Sequence, residues 1–180
     1  FVVVGESPEK MKELGFRPVG DDFPVFLHPK TKEEYALART ERKTGKGYRG
    51  FAADASEGIS LEDDLARRDL TINSMAMDRN GLITDPYNGR QDLENKILKH
   101  TTEAFAEDPV RVLRVARFYA RLGPSWQIHE STKGLMQDMH SKGELNHLVA
   151  ERVWKETERA LMEPFPHLFF ETLIEFDFLS

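Results

Sequence analysis

Charged side chains in this sequence fall at spacings that suit work on phosphates and nucleotide bases. Arg111, Arg114, Arg117 and Arg121 recur at helical intervals. On a helix turning about 100° per residue they share an arc of roughly 120°. Val112, Leu113, Val115, Ala116, Tyr119, Ala120 and Leu122 fill the opposite side. Asp108 and Pro109 precede them, an N-cap followed by proline at the first helical position. Arg111 then lies in the first turn, where a positive charge opposes the helix dipole, so helix stability is not its reason for being there. A planar, permanently charged fork suits phosphate oxygens and base edges. The competing reading is a solvated basic face on an ordinary helix.

A second group joins Arg67, Arg68 and Asp69 to Asn73, one helical turn on. A guanidinium grips phosphate oxygens bidentately, and a carboxylate accepts a ribose hydroxyl. The alternative has Asp69 capping a helix that starts at Thr71, itself an anion-binding terminus. Glu34 shares one face of an alternating strand with Ala36 and Ala38, while Tyr35 and Leu37 point the other way. Small neighbours leave room for a substrate; the bland reading is an exposed glutamate on an edge strand. Asp85-Pro86 with Gly89 is explained by a turn with a capping aspartate. Trp126 and Trp154 read as core positions.

The elements that must position these groups follow from the hydrophobic pattern. Strands are expected at Phe1–Val4, Phe23–His28, Glu34–Arg42 and Ile97–His100, with a first helix from Pro8 to Leu14 stopped by Gly15. Lys43–Ser60, glycine-containing and charged, reads as one long loop of the kind that is functional or disordered. Short helices are expected at Asp64–Arg67, Thr71–Met75 and Gln91–Asn95. Asn80-Gly81 turns a hairpin between Ala76–Asp78 and Leu82–Thr84. From Thr102 on no strand is expected. Helices run over Glu103–Ala106, Pro109–Leu122, Glu130–His140, Ala150–Glu163 and Pro166–Phe176. The composition switch near residue 101 marks a boundary between an α/β part, 1–101, and an all-α part, 102–180.

Composition narrows the classes. Of 180 residues, 39% are hydrophobic and 31% charged, as in a globular domain with a workable core. No apolar run reaches the length of a membrane span. Zero cysteines exclude disulfide and thiolate chemistry and fit the cytoplasm. A net charge of −6 means that any RNA contact relies on local patches. The six histidines show no metal-ligand spacing. Phe1–Gly5 reads as a strand entered without a preceding turn, and the last helix pattern has no terminator, so a piece of a longer protein is expected.

Three segments in order, LEDDLARRDLTIN from Leu61, DPYNGRQDL from Asp85 and EDPVRVLRVARF from Glu107, resemble the class II tRNA nucleotidyltransferases: the bacterial CCA-adding enzymes and their sister poly(A) polymerases. The resemblance runs most clearly from Phe1 to Glu163. It implies an α/β (α+β) fold, a nucleotidyltransferase head with a mixed, partly antiparallel sheet, followed by an all-α neck. It implies stepwise addition of CMP, CMP and AMP to tRNA 3′ ends from CTP and ATP with Mg²⁺. The family's Asp-x-Asp metal pair would lie just before Phe1, with Glu34 as a third carboxylate, so this stretch alone is expected to be inactive. Arg68, rather than Arg67, and Asp69 match the triphosphate and ribose contacts, with Asn73 assisting. Asp108 and Arg111 match the pair that reads the incoming base. A carboxylate accepts from the exocyclic amine and a guanidinium donates to the ring, an order that cytosine and adenine present and uracil and guanine do not. Arg114 and Arg117 match further nucleotide contacts. Poly(A) polymerase, a CC-adding enzyme (which would lack a loop like Lys43–Ser60) and a non-catalytic RNA-binding module are the alternatives. Oligomeric state stays open.

Overall fold

The computed structural model describes residues 1–19, 24–43 and 51–179. The contacts of these residues form two compact units, one within residues 1–67 and the other within residues 68–179.

In the first unit, β1 (Val2–Val3), α1 (Pro8–Glu13), β2 (Arg17–Pro18), β3 (Val25–Leu27) and β4 (Glu34–Leu37) build a sheet in the order β1-β4-β3-β2. β1 runs parallel to β4, and the other pairs are antiparallel. Ser7 accepts the Lys10 N–H and Pro8 opens α1, as capping chemistry dictates. Met11, Phe26 and Leu37 form the core, with Tyr35 packed against it. That places Tyr35 and Leu37 on the inner face and leaves Glu34 exposed at the strand start. β4 lies between two partners, so the edge-strand reading of Glu34 is corrected.

β5 (Thr40–Lys43) pairs antiparallel with β6 (Phe51–Asp54), register Thr40↔Asp54. The single loop expected over Lys43–Ser60 therefore contains a strand. Its four residues are too short and mixed to show a period. Residues 44–50 of that expectation lie outside the described residues. α2 (Leu61–Ala66) starts earlier than expected, because Ser60 and Asp63 cap each other's backbone reciprocally.

The second unit opens with a 3₁₀ turn at Thr71–Asn73, then the hairpin β7 (Ala76–Met77) and β8 (Ile83–Thr84). Gly81 takes φ +84° in its turn, a conformation that favours glycine. α3 (Gly89–Glu94) and β9 (Ile97–Leu98) follow, then a 3₁₀ segment Glu103–Glu107 and the long α4 (Val110–Leu122). β10 (Gln127–Ile128) leads to α5 (Glu130–Ser141), a 3₁₀ turn at Glu144–His147, α6 (Ala150–Leu161) and α7 (Pro166–Glu175). β10 corrects the expectation of no strand after Thr102; it pairs in parallel with β9. Two residues carry no readable alternation, so only the distant partner defines that strand.

α4 is apolar on two sides rather than one. Val112 and Val115 join a core with Leu70, Leu98, Phe105, Trp126 and Met136. Leu113, Ala116 and Ala120 join a second core with Ala160, Leu168, Phe169 and Leu173. Leu98 and Phe105, on either side of residue 101, thus share one core. Trp126 is buried as expected, whereas Trp154 is 62% exposed and is not a core residue. Among the described residues no helix is long and apolar enough to cross a membrane. The whole is a mixed α/β molecule with a mixed sheet.

Candidate nucleotide-binding site

Arg68, Asp69, Asn73 and Arg114 meet in the second unit. The Thr71–Asn73 turn brings Asn73 back over Asp69, so its Nδ2 donates to Asp69 Oδ1 at 3.1 Å, beside the Leu70 N–H at 2.9 Å. Asp69 does not cap that turn as one reading had it; its second oxygen reaches α4. Arg114 Nε and Nη2 both lie 2.7 Å from Asp69 Oδ2. Arg68 Nη1 donates to the Asn73 carbonyl at 2.9 Å. Burial pushes the Asp69 carboxyl up, but the Arg114 charge and these hydrogen bonds outweigh it and hold the group below the usual carboxylate range. For Arg114 burial works against the charge, and Asp69 foremost, then Glu156 and Asp108, raise it overall.

The DPYNGRQDL segment supports this turn. Asp85 Oδ1 and Oδ2 accept the Gly89 and Arg90 N–H groups at 2.7 and 3.0 Å, the capping role expected of it. A Cβ on Gly89 would run into the Thr71 carbonyl, so only glycine lets α3 approach so closely. Asp92 Oδ2 accepts the Thr71 hydroxyl at 2.7 Å from the same helix. Three residues of the motif thus fix the backbone that presents Asp69 and Asn73.

At the start of α4, Asp108 is extended and accepts the Val110 N–H at 3.2 Å, capping the helix one residue before its assigned boundary. Its carboxylate is also clamped by Arg152 of α6, Nη1 to Oδ1 at 2.9 Å and Nη2 to Oδ2 at 2.7 Å. Arg111 is buried, not solvated, and Nη1 donates to the Ala104 carbonyl at 2.7 Å, which fixes the guanidinium plane. Arg117 is also buried. Its Nε meets Glu156 Oε2 at 2.6 Å, its Nη1 lies 3.6 Å from Glu163, and the guanidinium sits 4.9 Å from the Phe118 ring centroid. The solvated-face reading of the arginine arc is therefore corrected for Arg111 and Arg117: a buried charge needs a partner, and each has one.

Sequence reasoning missed Arg152 and Glu156. They are one turn apart on α6, and Glu156 also lies 3.9 Å from Arg114. The available signal was the spacing of Arg152, Glu156 and Glu163, opposite charges at helical intervals that complement the α4 series. Glu34 belongs to the first unit, exposed on β4. Among the described residues no group of three or more His, Cys, Asp or Glu side chains could hold a metal ion. One exposed glutamate does not fit a two-metal centre by itself.

Known proteins resemble the chain along most of its length. Residues 11–99 match the Poly A polymerase head domain family, and residues 126–180 match the probable RNA and SrmB-binding site of polymerase A. The Multifunctional CCA protein of Acinetobacter baumannii is 64% identical over 174 residues, and that of Ectopseudomonas mendocina 60%. Each alignment covers 96% of this chain and 42% of the relative, so the chain spans less than half of their length. Among solved structures, the Bacillus stearothermophilus CCA-adding enzyme in complex with CTP aligns with TM-score 0.77 at 27% identity, over 95% of this chain and 41% of that one. The Thermotoga maritima CCA-adding enzyme complexed with tRNA aligns with TM-score 0.72 at 28% identity, over 98% and 41%. Nucleotidyltransferases of this kind are generally metal-dependent. With its three motifs in order and its α/β head matched in both sequence and structure, the chain carries the Poly A polymerase head domain over residues 11–99 and is similar over nearly its whole length to the CCA-adding enzymes.

Proposed function

We propose that the complete protein adds CMP, CMP and AMP to the 3′ end of tRNA without a nucleic-acid template, using CTP and ATP, in the cytoplasm. The observation that carries this reading is the clamped Asp108 beside a fixed Arg111 at the start of α4. A carboxylate and a guanidinium held one turn apart supply an acceptor and donors for the edge that C and A share. The identity with multifunctional CCA proteins supports it.

In this reading Arg68 carries triphosphate charge, Asp69 and Asn73 address the ribose, and Arg114 ties them to the base-reading helix. Arg117 orients the same face through Glu156. Mg²⁺ is the metal of the proposal: held with the Asp-x-Asp pair that the family places before Phe1, it would activate the attacking hydroxyl and neutralise the departing pyrophosphate. Glu34 would act with that pair. The division into head, 1–101, and neck, 102–180, belongs to the same proposal and is supported by the family matches over 11–99 and 126–180.

The test is extension of a tRNA lacking CCA by the full-length protein. CTP alone should add two nucleotides, CTP with ATP three, and EDTA should abolish both. A homopolymeric A tail would make the protein a poly(A) polymerase. Arrest after two C residues with both triphosphates present would make it a CC-adding enzyme. Tight RNA binding with no transfer would leave a binding module.

A further inference from the structure

Two asparagines precede glycine: Asn80-Gly81 in the turn between β7 and β8, and Asn88-Gly89 at the start of α3. Such a step can react with itself. The glycine backbone nitrogen, once it has lost its proton, attacks the asparagine Cγ. The Cγ–Nδ2 bond breaks, ammonia leaves with a proton from water, and a five-membered cyclic imide remains. Water then opens the imide at either carbonyl, giving aspartate or isoaspartate. Nucleophile and electrophile belong to one chain, so no encounter is needed. Glycine, lacking Cβ, leaves the nitrogen unobstructed. The dipeptide is the same at both places, and the fold treats the two differently.

The first step is open. Every residue from Met77 to Ile83 is exposed. The Gly81 N–H donates to a neutral acceptor, the Asp78 carbonyl, at 3.1 Å. Asn80 Nδ2 makes only a long bond to Asp78 Oδ2 at 3.4 Å. A Cβ placed on Gly81 would meet nothing within 4 Å. The turn has room to close the ring, and water reaches it to open the ring again.

The second step is held. Gly89 is buried, and its N–H donates to the Asp85 carboxylate at 2.7 Å. Donation to an anion is among the stronger hydrogen bonds, and it keeps the proton on the nitrogen. The Asn88 carbonyl accepts the Asp92 N–H at 3.1 Å, and the Thr71 carbonyl lies against Gly89. This peptide cannot swing toward its own side chain without lifting α3 from the Thr71–Asn73 turn.

We propose that Asn80 is a modification site, converting spontaneously to aspartate and isoaspartate through the cyclic imide, while the fold preserves Asn88. The product places a second carboxylate beside Asp78, and the isoaspartyl form adds a carbon to the backbone of the turn. In the test, the full-length protein is aged folded and, in parallel, unfolded in urea, then digested with trypsin. Both asparagines lie on the peptide spanning residues 80–90, so fragment masses compare them within one molecule. In the folded protein Asn88 should lag Asn80 by roughly ten- to a hundredfold, the factor that a charge-assisted hydrogen bond is worth. In urea the two should convert at similar rates. Conversion of Asn80 should quicken in mild alkali, because the attacking nitrogen must lose its proton. An isoaspartyl-specific methyltransferase should label the aged folded protein. Asn80→Gln should remove that label, since glutamine would have to close a larger ring. Equal conversion of both asparagines in the folded protein, an Asn80 that converts only in urea, or aspartate without isoaspartate would overturn the proposal.

Discussion

Arg67 and Arg68 are neighbours in the chain and belong to different networks. Arg67 closes a network within the first unit: Nε donates to the Arg39 carbonyl at 2.9 Å, Nη1 to Glu41 at 2.8 Å and Nη2 to the buried Asp64. Burial, and then the neighbouring Arg67 charge, lower the Arg39 guanidinium from its usual value. Arg68 joins the second unit's turn, where carboxylates surround Arg114 and raise it. The side chains also differ in reach. Arg67 is 17% exposed and Asp64 2%, whereas Arg114 keeps 32% and Arg152 28%. The first network ties β5 to α2. The second holds charges in fixed directions while leaving them in touch with solvent, which is what a site for a charged ligand requires.

The largest effect should come from breaking a buried pair. Asp64→Ala or Glu156→Ala removes the more buried acid from Arg67 or Arg117, leaving only Glu41 or Glu163 against the charge, and should cost up to about 3–5 kcal/mol of stability in denaturant titrations. Asp64→Ala should leave triphosphate affinity unchanged well below its melting point; a specific loss there would break the contrast between the networks. Next, Arg68→Ala in the full-length enzyme should weaken all four triphosphates alike by about 1.5–3 kcal/mol in calorimetric titrations. Arg67→Ala should lower stability instead, and a loss confined to ATP in Arg68→Ala would argue against a phosphate role.

Asp108→Ala should reduce the preference for C and A over U and G by about 1–3 kcal/mol in competition with all four triphosphates. Arg152→Ala, which lets the carboxylate swing, should follow it in the same direction. A variant that melts earlier with base preference intact would return Asp108 to a purely capping role.

The smallest effect is confined to acid. Asp69 has its folded pKa below the unfolded value, so its contribution is fully present above about pH 4 and lost as pH falls through the lowered folded pKa. The advantage of the parent over Asp69→Asn in melting temperature should be constant from neutral pH to about 4 and shrink below it. An advantage that instead grew toward low pH would contradict the Arg114 pairing.

Much of the site was legible because its signals are local. Asp108-Pro109 at a helix start, Asn80-Gly81 in a hairpin and the four-residue step from Asp69 to Asn73 follow from backbone geometry within a few residues. The three motifs in order point to the family from the sequence alone. What stayed hidden depends on partners far along the chain. β10 exists because β9 lies beside it, and β6 because β5 does; neither has enough residues for a period to show. Helical spacing put four arginines on one arc, but only packing on both sides of α4 made Arg111 and Arg117 buried and drew Arg152 and Glu156 to the arc. Residue type and local spacing fix which charges are available and which face they share. Which charge is matched, which keeps its reach to solvent, and which of two adjacent arginines joins the site are set by burial and by long-range partners, and these exist only once the chain has folded.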